Sequence, residues 1–223
     1  MLQLLDNGTW EIILTTLKMA LFSTIISALL GTALGLLLER ARFRGKKAVV
    51  RINRTLMGVP PVVIGLVVYL LLMRRGPFGF LGILFTVTGM VVAQVIIITP
   101  IICGMVYTAA QQSAGRIRAF GVIMGANKPQ TQLLLIKELG NEIYFAAVTG
   151  FGRSISEVGA VMIVGGNILH KTRTMTTAIT LMRNQGEYSQ AIFLGVALLI
   201  IAFIIHTVLD FIRRKEQRGD ENY

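Results

Sequence analysis

The sequence is poor in the side chains that carry metal and redox chemistry. Its 223 residues include one cysteine, Cys103, and two histidines, His170 and His206, which lie in different segments. An intramolecular disulfide and a paired-cysteine metal site are therefore excluded. The chain also lacks the pattern G-x-x-x-x-G-K-[ST] of an ATP-binding P-loop. No nucleophile, base and orienting group stand in a hydrolase-like arrangement, so we expect no enzyme activity, cofactor or metal in this chain.

Acidic residues are also scarce, with 11 Asp and Glu against 22 Lys and Arg, for a net charge of +11. Such a charge can indicate nucleic-acid binding. Here, however, 54% of the residues are hydrophobic, and the basic residues fall between apolar runs. Basic residues concentrate in the cytoplasmic loops of membrane proteins. We therefore expect an integral membrane protein that contacts membrane lipid and no nucleic acid.

Long apolar runs divide the sequence into five predicted membrane spans. A helix needs about 20 apolar residues to cross a bilayer. The prediction is an all-α polytopic protein whose residues 1–223 form a single transmembrane domain. The spans cover about residues 12–38, 55–73, 82–107, 142–166 and 190–212.

The loops on one side of these spans are strongly basic. The segment 39–54 holds seven basic residues, and the segment 108–141 and the tail after 212 hold four each. With five spans, these three segments fall on the same side. The distribution predicts an N-terminus outside and a cytoplasmic C-terminus.

The cytoplasmic segment 115–139 has the pattern of a helix–turn–helix. Gly125 permits a left-handed turn, and Pro129 suits the first turn of a helix. Helices are predicted over 111–120 and 130–139. Because long ordered loops usually have a use, we interpret this polar loop as a docking site for a soluble partner; the alternative is an ordinary connection.

The fourth predicted span carries charge at membrane depth. Arg153 and Glu157 are four residues apart, which places them on one helix face. Buried membrane charges are functional candidates, and Arg153 with Ser154 and Ser156 offers donors to an oxyanion. We expect Glu157 to brace Arg153 or cap nearby backbone. The alternative is that the pair only holds helices together.

Other polar and proline residues are weaker candidates. Pro60, Pro61 and Pro100 are predicted to break or kink their helices, with or without a role in gating. Gln94 is predicted to form an interhelical hydrogen bond. Asn167 lies on the outer side, where it either lines a vestibule, meets a binding protein or is solvated.

Several of these segments resemble the permeases of molybdate- and tungstate-type ABC importers. The cytoplasmic loop resembles their coupling loop, E-A-A-x-x-x-G, in which Ala119 takes the place of the glutamate and Gly125 that of the glycine. Ala126, Asn127, Lys128 and Pro129 follow this glycine.

Two further motifs carry the resemblance. The segment 156–174 is similar to the pattern GEFGA…GNI…RT, with Ser156 and Val158 replacing the first glycine and the phenylalanine. The segment 59–65 is similar to PPxxxGL. Within this family, the runs 156–160 and 175–178 favour the tungstate branch.

The resemblance implies a MetI-like ABC permease fold that works as a homodimer in the inner membrane of a prokaryotic cell. It implies two cytoplasmic ATPase subunits that bind ATP and Mg²⁺, and an extracytoplasmic oxyanion-binding protein. The implied function is import of a tetrahedral oxyanion, with tungstate most favoured and molybdate next. A permease for sulfate, phosphate or an amino acid, and a self-contained channel or carrier, remain alternatives.

Overall fold

The computed structural model describes the backbone of residues 7–220 and the side chains of residues 8–211, and this part of the chain is all-helical, as predicted. The side chains of the basic tail after 212 lie outside the described residues. A short 3-10 helix covers Gly79–Leu81. The α-helices are α1 Asn7–Arg40, α2 Lys46–Met57, α3 Pro61–Leu72, α4 Val87–Ile123, α5 Lys128–Glu138, α6 Gly140–Ile155, α7 Gly159–Gly165, α8 Met175–Asn184 and α9 Tyr188–Asp220.

Three of the five predicted spans correspond to single helices, the fourth corresponds to the bent pair α6 and α7, and the second corresponds to the 12-residue helix α3. Helix α2 lies mostly in the segment 39–54, which was predicted to be a cytoplasmic loop. Helices α1, α4 and α9 are each long and apolar enough to cross a membrane. Helices α2 and α3 meet at 101°, and α6 and α7 meet at 61°. The first break was predicted, because Pro60 and Pro61 begin α3. The second, at residues 156–158, contains no proline and was not predicted.

The helix of the third predicted span begins five residues later than predicted. Helix α4 begins at Val87 instead of residue 82, because Gly82 and Phe85 adopt positive φ angles of 62° and 58°. The hydroxyl of Thr86 then caps the helix by accepting a hydrogen bond from the Gly89 amide at 3.2 Å. The helix also continues past the predicted end to Ile123, so it extends into the segment that was assigned to the cytoplasm.

Helices α1 and α4 form the centre of the fold and run in the same direction. Gly31 of α1 faces Ile102 of α4, and one turn later Gly35 faces Val106. A Cβ atom on Gly35 would lie 2.9 Å from the Cys103 carbonyl oxygen, so only glycine permits this backbone approach.

The parallel arrangement brings the basic segments to one end of the molecule. Glu39, near the end of α1, pairs with Arg118 of α4. At the same end, Tyr144 in the first turns of α6 donates a hydrogen bond to Asp210 of α9 at 2.9 Å. We call this the basic end; it carries the α1–α2 connection, the α4–α5 turn and the last turns of α9.

The segment 167–189, between the fourth and fifth predicted spans, contains a helix whose first turn is buried. The first residues of α8, from Met175 to Ala178, are at most 7% exposed. Thr174 and Thr177 form its capping box, and Thr16 of α1 accepts a hydrogen bond from the Met175 amide at 2.9 Å. Threonines of this segment thus cap and anchor a packed helix.

Two predictions for α4 also need correction. Pro100 does not break the helix, which continues on both sides of it; its carbonyl accepts a hydrogen bond from Asn53 of α2 at 3.1 Å. Gln94 is fully buried, yet neither polar atom of its amide has a hydrogen-bond partner among the described residues. The expected interhelical hydrogen bond is therefore absent.

Candidate functional site

The break between α6 and α7 holds the charged pair that the sequence predicts. Helix α6 ends at Ile155, so Arg153 lies in its last turn and Glu157 lies in the break itself. Arg153 Nη2 is 3.5 Å from Glu157 Oε2, with side-chain exposures of 41% and 7%. The two residues therefore pair across a helix end, and not along one continuous helix face as expected.

Glu157 joins three helices. Its side-chain Oε1 accepts a hydrogen bond from the Ala160 amide of α7 at 3.4 Å, and its carbonyl accepts one from the Thr176 hydroxyl of α8 at 2.9 Å. A buried carboxylate is costly unless it is paired and hydrogen-bonded. These contacts agree with the expectation that Glu157 braces Arg153 and caps local backbone. The Arg153 side chain is half-exposed, so it is the accessible member of the pair.

The two serines that were predicted to line the pathway form hydrogen bonds to helices of the fold. Ser154 is fully buried, and its hydroxyl lies 2.8 Å from the hydroxyl of Ser23 on α1. It faces a neighbouring helix and no open surface, which corrects its assignment to the pathway. Ser156 is exposed, and its hydroxyl donates a hydrogen bond to the Gly152 carbonyl at 2.9 Å, at the C-terminal end of α6.

The two helix breaks lie side by side, because the first turns of α3 and α7 are in contact. A Cβ atom on Gly65 would lie 2.6 Å from the Ala160 Cα atom, and Gly159 packs directly on Val62. The sequence interpretation missed this contact. The sequence feature that could have predicted this contact is the set of small residues that follow each break.

Asn167 closes a separate turn after α7. Its φ angle is 50°, and its Oδ1 atom accepts a hydrogen bond from Arg173 Nε at 3.2 Å. Arg173 also donates to the Asn167 carbonyl at 3.4 Å. Asn167 makes no contact with Arg153 or Glu157 among these hydrogen bonds, so the structure does not unite all the predicted site residues.

The helix–turn–helix predicted at the basic end is confirmed in shape. Gly125 has a φ angle of 66°, in the left-handed region. Asn127 and Gln130 form a capping box with hydrogen bonds of 2.8 and 3.0 Å, and Pro129 lies in the first turn of α5. Gly121 packs against Thr131, which holds the end of α4 against α5.

The exposed tip of this turn is apolar, whereas the sequence interpretation took the loop as polar. Val122, Ile123 and Met124 are 78%, 81% and 68% exposed, and Phe120 and Leu133 beside them are more than half exposed. A contiguous exposed apolar patch marks an interaction surface. We call these five residues the apolar tip. The sequence feature that indicates it is the apolar run 122–124, which directly precedes Gly125.

Basic side chains lie next to the apolar tip. A cavity of about 600 Å³ opens beside Val122 and Ala126. Its basic lining residues are Arg40, Arg42, Arg118 and Lys128. Ala119 is exposed on the last turns of α4. This end of the molecule thus offers both apolar and cationic contacts to a partner.

The family of binding-protein-dependent transport system inner membrane components matches residues 31–217. The chain belongs to this family. It is therefore a multi-pass permease of the inner membrane, and the predicted permease identity is confirmed.

Relatives of this permease include proteins named for tungstate and molybdenum transport. It is 40% identical to the tungstate uptake system permease protein TupB of Peptoclostridium acidaminophilum over 204 residues, which are 92% of this chain and 90% of that protein. It is 34% identical to TupB of Campylobacter jejuni, over 77% of this chain and 72% of that protein. It is 29% identical to the molybdenum transport system permease protein ModB of Azotobacter vinelandii, over 89% and 92% of the two chains.

Proposed function

We propose that this permease is the membrane subunit of an ABC importer that moves a tetrahedral oxyanion, foremost tungstate, into the cytoplasm. The observation that carries the proposal is the 40% identity to a tungstate permease over 92% of the chain. In the proposed orientation the N-terminus is outside and the basic end faces the cytoplasm, in agreement with the positive-inside rule. An extracytoplasmic binding protein delivers the oxyanion to the opposite end.

The proposed pathway runs along the two-fold axis of a homodimer and passes Arg153. A guanidinium matches the geometry of an oxyanion and binds it with two parallel hydrogen bonds. Because Glu157 lies 3.5 Å from Arg153, it competes with the oxyanion for the same cation. Transport requires binding that is weak enough for release. In this proposal Glu157 sets that affinity, and Ser156 and Asn167 shape the backbone on either side.

The proposed power source is a pair of cytoplasmic ATPase subunits, which bind ATP and Mg²⁺. Each ATPase docks on the apolar tip and on α5 of one permease chain. Helix α5 is joined to α6 through Leu139 alone, and Leu139 is 1% exposed. The 16 residues of α6 span about 24 Å to the break at Glu157. A displacement of α5 is therefore passed along α6 to the Arg153–Glu157 pair.

Molybdate is the second candidate substrate, because the ModB relative covers 89% of the chain at 29% identity. Tungstate and molybdate are tetrahedral dianions of the same charge. The Arg153–Glu157 pair has no feature that separates them, so we assign the discrimination to the binding protein.

The test of substrate is elemental analysis of cells that lack this chain, grown with trace tungstate and molybdate. The expected result is a loss of cellular tungsten, restored by the wild-type chain and not by Arg153→Gln. Loss of both metals would identify a shared oxyanion importer, and loss of neither would refute the oxyanion proposal. In liposomes, uptake without the ATPase would identify a self-contained channel or carrier instead.

The test of docking replaces one residue of the apolar tip. We expect Ile123→Asp to abolish co-purification of the ATPase subunits, because it puts a charge on an apolar contact. Phe80→Asp is the matched control, since Phe80 is also 81% exposed but lies in the α3–α4 connection, away from the basic end. Equal ATPase recovery with both variants would exclude the apolar tip as the docking site.

A further inference from the structure

Two adjoining cavities lie beneath α2, and neither contains a residue of the Arg153–Glu157 site. The first has a volume of about 750 Å³ and is lined by Lys46, Lys47, Arg51 and Arg54; we call it the basic hollow. The second has a volume of about 470 Å³ and reaches between α2, α4 and α6; we call it the apolar hollow. Val50, Arg54 and Tyr107 line both, so the two hollows are continuous.

Among the side chains that the structure describes, the basic hollow is lined by four cations and no acidic residue. Lys46 already has two partners within the chain. Its ammonium donates a hydrogen bond to the Glu39 carbonyl at 2.8 Å and lies 5.7 Å from the centre of the Tyr107 ring. Lys47, Arg51 and Arg54 form no ion pair among the described side chains. Three unpaired cations around one hollow favour an anionic ligand.

The apolar hollow distinguishes a lipid from a free anion. Its walls include Leu38, Met57, Met105 and Phe145. Its one acidic lining residue among the described side chains, Glu142, does not line the basic hollow. A small oxyanion needs no apolar cavity beside its binding site. A phospholipid needs both parts, because its phosphate and its acyl chain are covalently joined.

The composition and orientation of α2 are those of a helix at the level of lipid headgroups. Helix α2 turns by 101° from α3, and none of its residues is buried. Val49, Ile52 and Leu56 are exposed at spacings of three and four residues, which gives the helix an apolar face opposite its cations. A basic amphipathic helix with an exposed apolar face lies in the membrane interface.

We infer that the two hollows bind one anionic phospholipid of the cytoplasmic leaflet. Its phosphate contacts Lys47, Arg51 and Arg54, and one acyl chain occupies the apolar hollow. The bound lipid fills the space between α2 and α4, next to the Asn53–Pro100 hydrogen bond that ties these helices together. This inference rests on membrane insertion with the basic end in the cytoplasm, and it does not depend on which solute the permease carries.

The experiment measures lipid retained by the full-length permease in complex with its ATPase. The complex is extracted from bilayers of phosphatidylcholine and phosphatidylglycerol, and native mass spectrometry counts the lipids bound per chain. The test variant is Lys47→Gln/Arg51→Gln/Arg54→Gln. The matched control is Arg74→Gln/Arg75→Gln/Lys171→Gln, which removes the same three charges from exposed positions away from α2.

We expect wild type and control to retain phosphatidylglycerol, and the test variant to retain at least about 10-fold less. Thr108→Phe, which fills the apolar hollow from an exposed position of α4, should also reduce retention without removing a charge. Because this second variant keeps every cation, a loss of lipid in both variants is not explained by misfolding of α2 alone.

Three results would overturn the inference. The first is equal phosphatidylglycerol retention by the test variant and the control. The second is displacement of the lipid by added phosphate or tungstate, which would make the basic hollow a site for a free oxyanion. The third is lipid-free wild-type protein whose dimer falls apart in the test variant, which would show that a second copy of the chain covers α2. Tungstate uptake is not part of this readout, so either proposal can fail alone.

Discussion

The two helix breaks interrupt neighbouring spans by different physical means. Between α2 and α3, Pro60 and Pro61 lack the amide donors that a continuous helix needs. Between α6 and α7, every residue has an amide, and the break is held by Glu157 with partners on α6, α7 and α8. The first break is therefore a property of the local sequence, whereas the second combines local contacts of Glu157 with a tertiary hydrogen bond from Thr176.

This difference assigns different roles to the two breaks. A break made by proline stays broken whatever its neighbours do, so α3 is a fixed support. A break made by a side-chain network changes when one of its partners moves. Because α7 packs on α3 through Gly65, we expect the adjustable break to move against the fixed one.

The largest expected effect comes from forcing the two breaks apart. Gly65→Val should lower the melting temperature and abolish transport, because its Cβ atom would lie 2.6 Å from the Ala160 Cα atom. Overpacking of this kind costs about 1–3 kcal/mol. Gly195→Val on α9 is the control, since a Cβ atom there meets nothing within 4 Å. Equal thermal stability of the two variants would contradict the contact between the breaks.

The next effect tests the network itself. Glu157→Ala removes the acceptor of the Ala160 amide and the partner of Arg153, which should destabilise the protein by about 1–3 kcal/mol. Glu157→Gln retains an acceptor and should be less destabilising. If Glu157 limits oxyanion affinity, the Gln variant should show both a lower KM and a lower maximal uptake rate. An unchanged KM in the Gln variant would exclude this role of Glu157.

A smaller effect tests the contact from α8. Thr176→Val removes the hydrogen bond to the Glu157 carbonyl and should cost about 1 kcal/mol of folding free energy. Thr180→Val, one turn later on α8, is the control, because the Thr180 hydroxyl bonds only within its own helix. Thermal unfolding of both variants measures the difference, and a Thr180→Val variant that is equally destabilised would remove α8 from the network.

The sequence predicts those features that are encoded within a few residues. Pro60 and Pro61 predict the first break, and Gly125 with Pro129 predicts the turn at the basic end, because each acts through its own backbone. The i, i+4 spacing predicts the Arg153–Glu157 pair, which forms even though the helix ends between the two residues.

Features that depend on distant partners were not predictable in this way. Ser154 is buried because it meets Ser23, which lies 131 residues earlier. The break at Glu157 depends on Thr176, 19 residues later, and the burial of α8 depends on Thr16. A single sequence without the fold does not show which of several serines and threonines will meet. The apolar tip was missed for another reason, since a short apolar run looks the same whether it is buried or exposed.

The smallest expected effect is at the proline break. Pro60→Ala should cost only about 0.5–1 kcal/mol, chiefly by increasing the conformational freedom of the unfolded chain. The angle between α2 and α3 should persist, because Pro61 still begins α3 and still lacks the amide donor that a continuous helix needs. Spin labels on exposed Ile52 and Val67 measure this angle as a distance distribution. If Pro60→Ala alone lengthens that distance towards a straight helix, Pro61 by itself does not maintain the break, and both prolines are needed for it.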